Sequence, residues 1–527
     1  MKFRSSYFLI SVIIIIAVCT GAFIWLNKHF QKVHTLKEES LTAPISAKYI
    51  PEDADLIFNW KVNPDIIPNY IGDYQDKINK NLTNKKTRLI RDSSFKLIGL
   101  DFTKEIENWV GDYGSFAILE SNKQAKSNWL MVLGINEDVD IREELTSILD
   151  IDTTNNNSAI DNELSDSIST IFSKKINEKE SIYIANHQEQ IFIASNPETI
   201  QLSIRQSNDY SINTKNLYKN NQLKDNLNDG IFTLEISPEK ILNRIGQEKN
   251  LLELNKINKL ISSIKIDHNQ FIVEGIISYA TKTRMPVKYF NHKSIDIKDS
   301  KLFDDFILID NPYQYFGENF SHPYQKLIAS VIKKSTTSDY SNLFKIILEN
   351  SKGNSIWIKD KEWLFLEKKS DASKKDISAI LQEENFLKSR LELKNRNVEV
   401  WSKLSMNNNE KYQIKENIGA ILEQYEGTYI WGEDLSAFRM LDNIKYLANY
   451  LDFENNTEES NNFDDILRIH LGKETTETAL NNFYPYILLK TMLGNSLNSP
   501  QNIDISFAVP NINYPDFIKF KVNLKTS

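Results

Sequence analysis

Residues 518–524, Ile-Lys-Phe-Lys-Val-Asn-Leu, put Ile518, Phe520, Val522 and Leu524 on one side of an extended chain and Lys519, Lys521 and Asn523 on the other. A period of two marks a strand with one apolar and one wet face. Further apolar strands arrive as hairpins. "GSFAILES" (114–121) is followed by "NWLMVLGI" (128–135), "SIYIAN" (181–186) by "IFIAS" (191–195), and the two arms of 262–279 meet across Asp267–Asn269. Hairpins with alternating faces suit antiparallel sheets lying on helices. Strands and helices do not alternate regularly, and no phosphate-binding glycine loop follows a strand, so a doubly wound parallel fold is excluded. Helical spacing at Ile141, Leu145 and Ile148 predicts a helix over 138–151. A short helix is expected over 103–112, stopped at Gly111, and a capping box from Ser195 to Glu198 starts another with Pro197 in its first turn. The expected class is α+β.

At 527 residues the chain exceeds one small core. Landmarks of the first half recur in order in the second. Asn63-Pro64 after a strand returns as Asn311-Pro312, Trp129-Leu130 as Trp363-Leu364, Ile193 as Ile430 and Phe271-Ile272 as Phe517-Ile518. Their nearly constant spacing predicts two tandem, duplicated α+β units with antiparallel sheets, 47–285 and 301–527, joined by a polar linker at 286–300.

The N-terminus makes a separate statement. Residues 7–26, "YFLISVIIIIAVCTGAFIWL", form 20 residues without a charge, about one hydrocarbon thickness as a helix. Lys2 and Arg4 precede this run, and "FIWL" carries it past the small residues Thr20-Gly21-Ala22. That length favours an uncleaved transmembrane helix, a signal anchor, over a cleaved signal. The expectation is a cytoplasmic N-terminus at 1–6, an anchor at 7–26, a tether at 27–46 and the remainder on the far side, periplasmic or lumenal. Cys19, the one cysteine, lies in this run, so the rest of the chain holds no disulfide, thiolate zinc site or cysteine nucleophile.

A net charge of −8 argues against nucleic acid as a partner, and the most basic stretch, 79–91, reads as a solvated helix face. No P-loop, dinucleotide fingerprint, zinc helix, Gly-x-Ser-x-Gly elbow or EF-hand loop occurs. No catalytic residue, metal ligand set or cofactor is assigned, and enzyme activity is left open with the balance against it. The seven histidines lack metal-ligand spacing on one helical face, and His187 and His268 fall at expected turns, as solvated residues. Acidic pairs such as Asp53/Asp55 and Asp464/Asp465 read as helix ends or solvated faces. The sharpest local signal is Trp109-Val110-Gly111-Asp112. Trp109, Gly111 and Asp112 are the candidate contact surface. The structural alternative packs Trp109 at a helix end, turns the chain at Gly111 and ties Asp112 to backbone amides.

Residues 95–118, "FKLIGLDFTKEIENWVGDYGSFAI", carry Gly99-Leu100-Asp101-Phe102, Glu105-Ile106 and Trp109-Val110-Gly111-Asp112-Tyr113. With the Pro-x-Asp-Ala stretch at 51–54 and "QIFIASNPETIQLSIRQ" at 190–206, this phrase resembles the cyanobacterial membrane-anchored domain-of-unknown-function family numbered thirty-three fifty-two. Val110 and Tyr113 depart from the family phrase, and Tyr113 stands where an acidic residue usually follows Asp112. The resemblance implies a cyanobacterial host and a plasma or thylakoid membrane, and no activity. Three functions stay open: a non-catalytic binding or assembly module acting on membrane or envelope proteins, a lipid or pigment carrier with an apolar pocket, and an enzyme with dispersed catalytic residues.

Overall fold

In the computed structural model, the described residues are 44–68, 77–119, 128–136, 171–207, 232–241, 257–279, 305–317, 342–432, 465–481, 500–508 and 517–526. A few positions inside these stretches are excepted, and single residues between them are added. The expected anchor at 7–26 with Cys19, most of the tether, the linker at 286–300, nearly all of the helix at 138–151, and His268 lie outside the described residues. The chain divides into two compact units. One is Met1–Ser278 with Leu480–Pro500 and Asn523–Ser527, and the other is Tyr279–Ala479 with Gln501–Val522.

Unit 1 contains β1 (Leu56–Trp60), β2 (Val110–Leu119), β3 (Asn128–Ile135), β4 (Phe172–Asn177), β5 (Glu180–His187), β6 (Gln190–Ala194), β7 (Phe232–Ile236) and β8 (Ile257–Asp267), followed by β9 (Gln270–Tyr279). Every recorded pairing among them is antiparallel. The order across the sheet is β8-β7-β1-β2-β3-β6-β5-β4. Unit 2 contains β10 (Asp305–Ile309), β11 (Ser355–Lys359), β12 (Trp363–Lys368), β13 (Leu387–Leu393), β14 (Arg396–Asn407), β15 (Gln413–Tyr425), β16 (Thr428–Gly432), β17 (Asp465–Leu471) and β18 (Pro500–Ala508), followed by β19 (Phe517–Thr526). Its order is β18-β17-β10-β11-β12-β16-β15-β14-β13, again antiparallel throughout.

This corrects the expected class. Against the expectation of α+β units behind an N-terminal transmembrane helix, the described chain is mostly antiparallel sheet with few helices. The helices are α1 (Lys77–Leu97), α2 (Pro197–Ser207), α3 (Tyr313–Phe316), α4 (Asn342–Asn350), α5 (Asp371–Glu383) and α6 (Lys473–Asn481), with short turns at Ile45–Tyr49 and Phe102–Ile106. Among the described residues no helix is long and apolar enough to cross a membrane. The 21-residue α1 has the length but carries Lys85, Lys86, Arg88, Arg91, Asp92 and Lys96 along it. A one-faced alternation also fails for the inner strands. All five residues of β1, β6, β10 and β16 are buried, so both faces of each are covered.

The turn Ile45–Tyr49 and α2 cover one face of unit 1. Ala117, Ala185 and Ala194 leave room there for Tyr49, Ile50, Ile200 and Ile204 in one buried cluster. Helix α2 is capped by Asn196, whose Oδ1 accepts from the Thr199 N–H at 2.8 Å. Ser195 is not the cap: its hydroxyl accepts from the Trp129 N–H at 3.1 Å and ties the helix start to β3. A buried polar rung crosses the same sheet. Asn59 donates to Thr233 Oγ1 on β7 (3.0 Å) and accepts from Ser115 Oγ on β2 (2.7 Å), and Ser115 Oγ meets Ser46 Oγ at 2.8 Å. Such a rung fixes register, because a slip of one residue would leave all four groups unpaired in the core.

In unit 2 a cap comes from far along the chain. Buried Asp305, first residue of β10, accepts the Gly472 N–H at 2.8 Å and the Thr475 hydroxyl at 2.5 Å, closing the N-terminus of α6. Asp305→Ala removes both acceptors and is expected to lower unfolding free energy by about 2 kcal/mol, with Asp305→Asn costing less. The denaturation midpoint of the three chains checks this.

Candidate functional site

The Trp109 phrase resolves into a clamp. Helix α1 ends at Leu97, and Gly99 follows at φ +89°, where a Cβ would come within 2.4 Å of the Ile176 side chain on β4. Both conformation and space therefore demand glycine. Asp101 then accepts the Lys104 N–H (3.2 Å), while Glu105 accepts the Asp101 N–H (2.7 Å), a reciprocal cap. The other carboxylate oxygen of Glu105 pairs with Lys174 on β4. Phe102 is buried with the Arg91 guanidinium 3.8 Å above its ring, and Arg91 bonds Asp65 at 2.8 Å. Two contacts, at Lys174 and Ile176, thus fasten the outer strand β4 to this turn.

Within that clamp Trp109 is wholly buried. Its indole N–H donates to the Glu105 carbonyl at 2.5 Å, and its own carbonyl accepts the Asn136 N–H at 2.8 Å. Gly111 lies inside β2 rather than at a helix stop, and a Cβ there would meet the Ile135 carbonyl oxygen at 3.1 Å. Asp112 is exposed. The three residues are neighbours in sequence, but only Asp112 reaches the surface. Tyr113 points elsewhere: its hydroxyl accepts from Gln190 Nε2 at 2.6 Å, and its ring packs on Gly134.

The β5–β6 turn has a constrained backbone. Gln188 and Glu189 both take positive φ, 48° and 60°, the geometry of a tight hairpin turn that favours Asn-Gly. Gln188 Oε1 is held by the Tyr49 hydroxyl (3.0 Å) and the Lys48 ammonium (3.3 Å), so contacts 140 residues away in sequence stabilise the conformation. Burial, and then the neighbouring Tyr113, push the Tyr49 hydroxyl up to about 12. His187 is buried beside it, edge-on to Tyr49 at 6.1 Å, and is not the solvated turn residue that its sequence position predicts.

Two groups in unit 2 have chemistry that no sequence motif signals. Glu367, on β12, is completely buried, and its Oε1 accepts the Lys352 and Gly353 N–H groups at 3.1 and 3.3 Å. The Ser351 and Ser373 hydroxyls lie near it. Burial outweighs these donors and pushes the carboxyl up to about 7. His470 and Asp504 are register partners on β17 and β18, with Nδ1 and Oδ1 2.9 Å apart and the ring stacked on Phe306 at 5.0 Å. The aspartate orients the imidazole, as in a proton-transfer pair. Among the described residues no hydroxyl nucleophile bonds to it. Nor does any group of three His, Cys, Asp or Glu residues among them gather as a metal site.

The family described as "Protein of unknown function (DUF3352)" matches residues 8–526. The chain belongs to that family. No curated protein and no solved structure matches it.

Two outcomes test the geometry. Trp109→Ala empties a closed site and is expected to cost about 3–5 kcal/mol of unfolding free energy, measured by urea denaturation. Glu367 has an ordinary value of 4.5 but ionises in the fold only near pH 7, so between those values the fold holds a proton that the unfolded chain has released. Stability therefore falls as pH rises from about 4.5 to about 7, by roughly 3 kcal/mol at most, and then levels. Glu367→Gln should flatten this fall and exceed the parent in melting temperature at pH 8, while matching it near pH 4.5. An unchanged slope would remove Glu367 as its source.

Proposed function

We propose that the protein is a non-catalytic binding and assembly module working beside a membrane, with its contact surface on the β13–β15 ribbon of unit 2. One observation carries the reading. Residues opposite each other in an antiparallel ladder share a face. Leu387 opposes Ser402, which opposes Ile418, while Leu391 opposes Val398 and Leu404 stands two residues beyond Ser402. All four large aliphatics therefore lie on one face, and they are 56% (Leu387), 40% (Leu391), 57% (Leu404) and 40% (Ile418) exposed. Lys388, Arg390, Glu392 and Lys403 occupy the opposite face. Val398, Val400 and Ser402 on the same face are buried, so the four exposed aliphatics stand around a covered centre. Exposed aliphatics set so close on one side of a ribbon support an interaction surface, since covering them removes apolar area from water.

The uncharged run at 7–26 supports attachment to a plasma or thylakoid membrane, with the sheets on the periplasmic or lumenal side. Attachment confines the ribbon to a thin layer and raises its effective concentration toward a protein of the same membrane, the partner this reading names.

Crosslinked affinity purification of the full-length protein from its native membrane, beside a Leu391→Glu/Leu404→Glu variant, tests the proposal. The expected result is one membrane protein near one-to-one with the parent, reduced at least tenfold with the variant at unchanged melting temperature. Equal recovery with the variant, or recovery of only a lipid or pigment, contradicts it.

A further inference from the structure

We infer that β13 is a self-recognition edge, through which two copies of this chain join their unit 2 sheets around a two-fold axis at Leu391. The inference rests on the contact-surface reading only in sharing that ribbon. The edge is open: β13 pairs with β14 on one side, no partner lies on the other among the described residues, and every residue from Leu387 to Glu392 is exposed. An open edge is a template for another strand unless its side chains forbid pairing.

Here the side chains select one pairing. With a two-fold axis normal to the sheet at Leu391, Leu391 faces Leu391 of the second copy, Arg390 faces Glu392 of the second copy, and Glu392 faces its Arg390. Both charge pairs are opposite in sign. Moving the axis to Arg390 sets two arginines against each other, and moving it to Glu392 sets two glutamates together. A slip of one residue would turn leucines against charges. Lys388 is already engaged, 2.8 Å from Glu399 on its own β14. Arg390 stands opposite Glu399 in its own ladder, yet neither it nor Glu392 has an ion pair within 4 Å among the described residues, so both can meet the complementary charge of a second copy. Pairing also sets the apolar faces of both ribbons side by side, an isologous arrangement.

Directly opposed residues of an antiparallel pair are about 4.5–5.5 Å apart at Cα, within disulfide reach, whereas Ser389 of each copy would stand roughly 13 Å from the other. The test uses the full chain in detergent with Cys19→Ser, so that introduced thiols are the only ones. Under mild oxidation Leu391→Cys should give mostly disulfide-linked dimer and Ser389→Cys almost none. In sedimentation equilibrium, Arg390→Glu and Glu392→Arg should each weaken dimerisation at least tenfold, and the double exchange should restore it. A chain that stays monomeric at all concentrations, equal crosslinking at both positions, or no restoration by the double exchange would overturn the inference. Capture of a membrane protein that survives Arg390→Glu would leave the contact-surface reading standing in that case. Loss of capture with intact Leu391→Cys crosslinking would fell that reading alone.

Discussion

Each sheet depends on the insertion of its first strand between partners that the chain supplies much later. β1 pairs with β2 on one side and with β7, some 175 residues on, at the other. β10 lies in the same way between β11 and β17. Neither strand can bury both faces until those distant pairings form, and loop closure makes such contacts slow to find. Once formed, they anchor the other elements of each unit. The Asn59 rung runs through β1, and the Asp305 cap of α6 hangs from β10.

The fixed centre contrasts with the outer strands. β4 is pinned by Glu105 and by the Gly99 turn, contacts that use up the most conspicuous sequence phrase. β13, at the margin of unit 2, has no such fastening on its outer side among the described residues and keeps Leu387 and Leu391 in water. Trp109 accordingly serves packing, whereas the exposed chemistry sits in Leu387–Glu392, Leu-Lys-Ser-Arg-Leu-Glu, a stretch without any motif.

Strand positions were legible because alternation and hairpin spacing are local. β2, β3, β5 and β6 fall where the apolar runs predict, and Asn196 rather than Ser195 is a one-residue correction of a cap. The balance of class was not legible: five-residue strands such as Leu56–Trp60 are covered on both faces, and periodicity does not report what covers them. Side-chain roles were least legible. His187 is buried because Tyr49 arrives from 138 residues upstream, and Glu367 looks like any solvated acid until Ser351, Lys352, Gly353 and Ser373 close around it. The apolar face of the ribbon is likewise a property of register, since Leu387 and Ile418 share it only through Ser402.

Hydrogen–deuterium exchange of the full chain at two protein concentrations tests most directly the central claim, a sheet with a locked centre and one open, adhesive edge. Amides of Phe306–Ile309 should stay protected at both concentrations. Those on the outer side of Leu387–Leu393 should exchange within seconds to minutes when dilute and slow markedly when concentrated. Equal and lasting protection of both segments in the dilute sample would mean that the chain covers its own edge, and would contradict the account.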